Sequence, residues 1–178
     1  MERKEDIRLV TQVAVFHNRQ AFDKLMKEYQ SPIRRFLLSQ TLGDSQLSDD
    51  LAQDTFVKAY THISQFQGKS SFLTWLFRIA YNVFYDYVRT HKETTDIDTP
   101  SLRSERATAV NSNLKMDLYK ALQLLNDNER ICITLQLMEG QSIEKISEIS
   151  SIPQNTVKSH LARGKKKMAD FLRANGYN

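Results

Sequence analysis

The sequence predicts an all-α fold: two small helical domains joined by a flexible linker, the C-terminal one carrying a helix-turn-helix. Three observations predict it. The 178 residues include only 5 Gly and 3 Pro, too few for a turn-rich β protein. Apolar residues recur at helical spacing, and no segment sustains the alternation of a strand. The stretch ETTDIDTPSLRSERATAVNSNLK, residues 93–115, nearly lacks large apolar side chains, which is linker composition. The expected division is a domain over 1–92, a linker over 93–115 and a domain over 116–178.

In the first domain, Ser48 is a natural N-cap for a helix, with Asp49 and Asp50 in its first turn where the helix dipole favours them. Leu51, Ala52, Phe56, Ala59, Ile63 and Phe66 fall on one side, and Asp50, Gln53, Asp54, Val57 and Lys58 on the other. The following stretch, FQGKSSFLTWLFRIAYNVFYDYVR, contains Gly68-Lys69-Ser70, the tail of a phosphate-binding loop. Such a loop needs a second Gly five residues earlier and a preceding strand. Ile63 stands at that place, and the residues before the loop have a helical period, so both requirements fail.

The next helix is expected from near Ser71. Leu73, Leu76, Phe77, Ala80, Val83, Phe84, Tyr87 and Val88 form its core stripe. Trp75, Arg78, Asn82, Tyr85, Asp86 and Arg89 form the opposite face. Aromatics interleaved with cations suit unstacked bases, because every base has a π-face and every phosphate a charge. A domain–domain contact suits the same face equally.

In the C-terminal domain, Asn126 and Glu129 have the spacing of a capping box, and Gly140 is a helix terminator. Ile143, Ile146 and Ile149 make the stripe of a short helix, and Ser150 and Ser151 make a turn. Pro153 fits the first turn of the next helix. There Val157 and Leu161 face inward, while Gln154, Asn155, Thr156, Lys158, Ser159 and Arg163 face outward. Such a helix-turn-helix can present the N-terminal polar residues of its second helix to base edges in a major groove. The net charge is +4, and six Lys or Arg against one Asp lie between Lys158 and Arg173. A basic stripe on one element is an electrostatic footprint of nucleic-acid binding; a solvated helix face is the alternative.

Other classes find no support. Cys132, in the apolar run ICITLQL, has no partner for an internal disulfide. His17, His62, His91 and His160 lack metal-ligand spacing, and no catalytic constellation stands out, so no metal, cofactor or enzymatic activity is expected. MERKEDIRLV lacks the apolar core of a signal peptide, and no apolar run approaches a membrane span. A cytoplasmic protein without membrane insertion is expected.

Taken together, DDLAQDTFVKAY, then F-x-G-x-S-S-F-x-T-W-L-F-R-I-A-x-N, then EGQSIEKISEISSIPQNTVKSHLARGKKKM make the chain resemble an extracytoplasmic-function (ECF) sigma factor over about residues 16–92 and 115–173. The resemblance implies a two-domain bacterial transcription factor whose partners are core RNA polymerase, promoter DNA and an anti-sigma factor. It implies that Asp50, Gln53 and Asp54 dock on the polymerase clamp helices. It implies that the loop Phe66 to Phe72 captures a flipped-out base of the minus-ten element. Lys69 would supply a cation there, and Ser70 or Ser71 a hydrogen-bond group or merely an N-cap. Trp75, Arg78 and Asn82 would meet the melted strand. The C-terminal unit, with Gln154, Asn155, Thr156, Lys158, Ser159 and Arg163, would read the minus-thirty-five element as duplex. Three departures stand out: Ser151 where the family usually has Gly in the turn, His160 where Arg often follows Lys-Ser, and Tyr81 where Arg is common. The rival is a helix-turn-helix regulator that binds DNA independently of polymerase core, typically a dimer on a palindrome.

Overall fold

A computed structural model describes residues 3–94 and 112–177. Among the described residues there are only helices. Those of the first half are α1 (Arg3–Phe16), α2 (Arg19–Gln40), α3 (Ser45–Thr61), a 3-10 turn (Ile63–Gln65) and α4 (Phe72–Thr94). Those of the second half are α5 (Ser112–Gln123), α6 (Asp127–Ile133) running into a π turn (Thr134–Met138), α7 (Ile143–Ser150) and α8 (Gln154–Ala174). Helix α4 and helix α5 thus extend into both ends of the stretch expected as linker; the rest of that stretch lies outside the described residues.

The caps explain several helix starts. Asn18 accepts from the Ala21 amide and opens α2. Helix α3 starts earlier than expected. Asp44, not Ser48, is its N-cap and accepts from the Leu47 amide at 2.9 Å. Ser48 is instead fully buried, its hydroxyl bonded to the Thr41 hydroxyl and the Asp44 carbonyl. Asp49 and Asp50 consequently lie in the second turn, outside the region where the helix dipole acts most strongly. Ser71 accepts from the Thr74 amide at 3.1 Å and caps α4. The capping box forms as expected, with Asn126 and Glu129 each accepting from the other's backbone amide.

The first four helices pack around Leu25, Ile33, Phe36, Leu37, Leu76 and Phe77, all fully buried. Phe36 and Phe77 meet edge to face at 5.6 Å. In the second half, Leu122, Ile131, Ile133, Leu135, Ile146 and Val157 close a smaller core. Gly164 allows α8 to approach α6: a Cβ there would stand 2.8 Å from the Ile133 side chain.

The two halves touch through polar as well as apolar groups. Arg35 makes a two-pronged ion pair with Glu139, at 3.1 and 2.9 Å. The Gln40 amide donates to the Thr134 hydroxyl, and the buried Arg130 guanidinium donates to the Gln40 carbonyl. Tyr119 packs on Gly43, where a Cβ would be 2.9 Å from the ring. Helix α7 lies against α4.

Candidate promoter and polymerase interfaces

The 3-10 turn ends α3's run and folds Phe66 back beneath the loop that follows. Phe66 meets Phe72 at 5.4 Å and Trp75 at 5.6 Å. This cluster corrects the expected placement of Trp75 on the solvent face. Trp75 is half-buried, because Phe66 and Phe72 both pack against its ring. Gly68 adopts a left-handed backbone, φ 68°, which turns the chain before α4. A 3-10 turn, not a strand, leads into Gly68-Lys69-Ser70, as the failed phosphate-loop test requires.

Lys69, Ser70, Trp75, Arg78 and Asn82 come together in one cleft of about 720 Å³ between this loop and the outer face of α4. Trp75 and Ile79 give the cleft an apolar side. Lys69 and Arg78 give it cations, and Asn82 and Ser70 give it hydrogen-bond groups. That combination can hold a planar heterocycle by stacking, satisfy its polar edge and neutralise an adjoining phosphate.

Sequence reasoning did not place Lys58, His62, Gln65 and Gln67 in this cleft, but they line it. Lys58, expected on the side of α3 opposite the core stripe, is exposed. It pairs with Asp86 of α4 at 3.7 Å. Its spacing of four from His62 was the available signal. Glu148, from the exposed side of α7, also lines the cleft. The outer face of α4 therefore meets the other half of the chain, as the alternative of a domain–domain contact expected.

Asp50, Gln53 and Asp54 are exposed on α3. Gln53 borders a shallower groove of about 370 Å³ with Ala52, Phe56 and Asp49 on one wall and Met26, Gln30 and Arg34 of α2 on the other. Arg34 pairs with Asp49 and holds its carboxyl below the usual carboxylate range. The groove joins an apolar floor to a charged rim, the pattern of a protein-docking surface.

In the C-terminal half, Ser151 takes the left-handed conformation, φ 58°, that Gly would adopt at less cost. Pro153 stands at the N-cap of α8, immediately before the helix. Gln154, Asn155, Thr156, Lys158 and Ser159 are exposed along its first turns. His160, which stands where the family often has Arg, does not join these exposed residues. It is buried, its ring bonded to Arg163 at 3.1 Å, and burial followed by the Arg163 charge lowers its pKa. Arg163 is exposed, but its guanidinium also faces the buried Glu129 at 3.4 Å. Lys167 donates to the same carboxylate at 2.7 Å. Burial alone would raise the Glu129 carboxyl. Hydrogen bonds from Lys167 and from the Asn126 amide, with the Lys167 and Arg163 charges, outweigh it and hold the group below its ordinary value.

Among the described residues no cluster of His, Cys, Asp or Glu is arranged to hold a metal, and no helix is long and apolar enough to cross a membrane. Cys132 is buried, and burial pushes its thiol up to about 11.

Comparison with known proteins gives two family matches: Sigma-70 region 2 over residues 25–94 and Sigma-70, region 4 over residues 115–168. The ECF RNA polymerase sigma factor SigM of Bacillus subtilis is 34% identical, over 82% of this chain and 91% of its own. The ECF RNA polymerase sigma-E factor of Haemophilus influenzae is 30% identical, over 84% of this chain and 86% of its own. Among solved structures, the sigma factor RpoE from Bartonella quintana, in complex with the anti-sigma factor NepR, superposes with a TM-score of 0.73 at 26% identity. That match covers 85% of this chain and 96% of RpoE. By the order of its motifs, its helical architecture and these relatives, this chain belongs to the ECF subfamily of the sigma-70 family of RNA polymerase sigma factors.

Proposed function

We propose the division of labour by which this sigma factor directs core polymerase to promoters and helps open them. Residues 1–92 bind core polymerase and the minus-ten element, and residues 116–178 bind the minus-thirty-five element. The observation that carries this reading is the convergence of Lys69, Ser70, Trp75, Arg78 and Asn82 in one cleft. The cleft takes an unpaired base of the melted strand: Trp75 stacks, Asn82 and Ser70 bond to polar edges, and Lys69 and Arg78 meet phosphate. Capturing a base already out of the stack lowers the net cost of opening the duplex. The chain supplies recognition, and the chemistry of RNA synthesis belongs to the polymerase.

Asp50, Gln53 and Asp54 dock on the polymerase. Gln154, Asn155, Thr156, Lys158 and Ser159 meet the minus-thirty-five duplex, while Arg163 divides its charge between the DNA side and Glu129. Because Glu148 stands in the cleft and α7 lies on α4, promoter entry requires the two halves to separate. Likeness to a sigma factor solved with its anti-sigma factor supports a similar partner for this chain. Working with polymerase places it in the cytoplasm.

The test is binding to a cognate promoter with and without core polymerase. The basic charge is modest and divided, so few phosphates are neutralised and salt weakens binding by the free chain. Specific binding is expected only in the presence of core polymerase. Tight binding of a palindrome by the free chain would favour an autonomous regulator instead.

A further inference from the structure

We propose that Arg3, at the start of α1, is a positioning residue for the base-capturing loop: its guanidinium fixes the Gly68 and Lys69 peptides so that the loop presents its amide N–H groups to the unpaired base. The inference rests on the reading of the cleft given above and names the element that holds it in shape.

The Arg3 Nη2 donates to the Gly68 carbonyl at 2.6 Å and to the Lys69 carbonyl at 3.3 Å, across more than sixty residues of chain. Among the described residues no other hydrogen bond ties the stretch 67–70 to the rest of the fold. Gln67 and Lys69 are exposed, and Gly68 and Ser70 are half-buried. Nothing lies within 4 Å of where a Gly68 Cβ would stand, so Gly68 is required by its positive φ and not by crowding. A loop tied to the fold by few hydrogen bonds has conformational freedom to give up when a ligand binds. One guanidinium nitrogen bonded to two successive carbonyls removes much of that freedom beforehand.

The direction of the grip matters. In a trans peptide the carbonyl and the following N–H point opposite ways. With the Gly68 and Lys69 carbonyls turned to Arg3, the N–H groups of Lys69 and Ser70 face away from it. Lys69 and Ser70 both line the cleft. Two adjacent outward N–H groups suit the acceptor edge of a base, and they add to what the side chains offer.

Helix α1 is itself firmly seated. Leu9, Val10 and Val13 are buried against the domain. Asp6, also buried, accepts the Tyr29 hydroxyl at 2.8 and 2.7 Å. The Tyr29 ring in turn meets Phe72, the first residue of α4, at 5.7 Å. Helix α1 also packs on the 3-10 turn that leads into the loop. The two ends of the loop and its tip are therefore all referenced to α1. Helix α1 precedes residue 25, where the match to Sigma-70 region 2 begins.

The test uses the full chain with core polymerase. Arg3→Ala, Arg3→Lys and Lys4→Ala are compared on a cognate promoter and on promoters substituted through the minus-ten element. Lys4 is exposed on the same helix and controls for lost charge. Arg3→Ala is expected to slow open-complex formation by about three- to tenfold and to narrow the discrimination between minus-ten bases, the loss expected from one or two net hydrogen bonds. Core affinity and melting temperature should stay as in the wild type. Arg3→Lys, whose shorter side chain sets its nitrogen back from the two carbonyls, should recover only part of the discrimination, and Lys4→Ala should change nothing.

Unaltered base discrimination in Arg3→Ala would overturn the proposal. So would full recovery by Arg3→Lys together with an equal loss in Lys4→Ala, since that pattern means a charge effect only. A Lys69→Ala/Asn82→Ala variant separates the two levels. If it opens promoters like the wild type, the cleft reading fails and this inference falls with it. If it is defective while Arg3→Ala is not, the inference alone fails.

Discussion

Arg35→Ala and Glu139→Ala delete the same ion pair between the two halves of the chain, yet they should not cost the same. The Glu139 side chain is 3% exposed, whereas that of Arg35 is 52% exposed. Removing Glu139 leaves a guanidinium that water can reach, so the loss should resemble that of a surface pair, below about 1 kcal/mol. Removing Arg35 leaves a carboxylate in the crease without its cation. A fully buried orphan charge costs several kcal/mol; half exposure of the partner reduces that, and about 2 kcal/mol is expected.

The sign of the pH dependence follows from Glu139. Burial raises its pKa, and the Arg35 hydrogen bond and charge oppose the rise. Without Arg35 the folded-state pKa climbs further above the unfolded one. The folded state then binds more protons, so stability is lost as pH rises through that window and regained as it falls. Urea unfolding of both variants at about pH 7.5 and about pH 5 would measure this. The Arg35→Ala deficit should be the larger one and should shrink at the lower pH. Equal losses, or an Arg35→Ala deficit that ignores pH, would refute the reasoning.

Gly164→Ala should cost about 1–3 kcal/mol by forcing a Cβ against Ile133, read as a lower melting temperature. Glu129→Gln should destabilise the chain near neutral pH. Because the Glu129 carboxyl is held below its ordinary value, its contribution is present above the unfolded pKa and lost as pH falls through the folded one, so wild type and variant should converge in acid unfolding experiments. Lys158→Ala should weaken minus-thirty-five binding across sequences if Lys158 holds phosphate, or relax one base pair by about 1–3 kcal/mol if it reads a base edge; transcription from a promoter series distinguishes wild-type behaviour from either.

What the sequence made legible follows its periodicities. The core stripe of α4 and the inward Val157 and Leu161 of α8 were readable because a helix repeats its buried face every few residues. The caps at Ser71 and Asn126 were readable because side-chain chemistry and spacing coincide there. Asp44 was missed because Ser48 offers equal cap chemistry one turn later, and only packing against Thr41 shows that its hydroxyl is used inside. Trp75 was misplaced because Phe66 reaches it from outside its own helix. The five cleft residues came from a short local stretch, so their meeting was readable. Glu148, Arg3 and the Arg35–Glu139 pair were not, because each joins residues distant in sequence that no helical period relates.

The central claim is that α3 carries the polymerase-docking face and the cleft on α4 carries the melted strand. The most direct measurement pairs a polymerase pull-down with a permanganate footprint of the promoter, for Asp54→Lys and for Lys69→Ala/Asn82→Ala. Asp54→Lys should abolish core binding by reversing a charge on the docking face. Lys69→Ala/Asn82→Ala should bind core like the wild type and fail to expose the minus-ten thymines, with stacking and hydrogen bonds worth about 1–3 kcal/mol per base removed. A pre-melted bubble should restore part of that loss, since the unstacking energy is then already supplied. If the cleft variant loses core binding while Asp54→Lys keeps it and melts the promoter, the assignment of the two faces is contradicted.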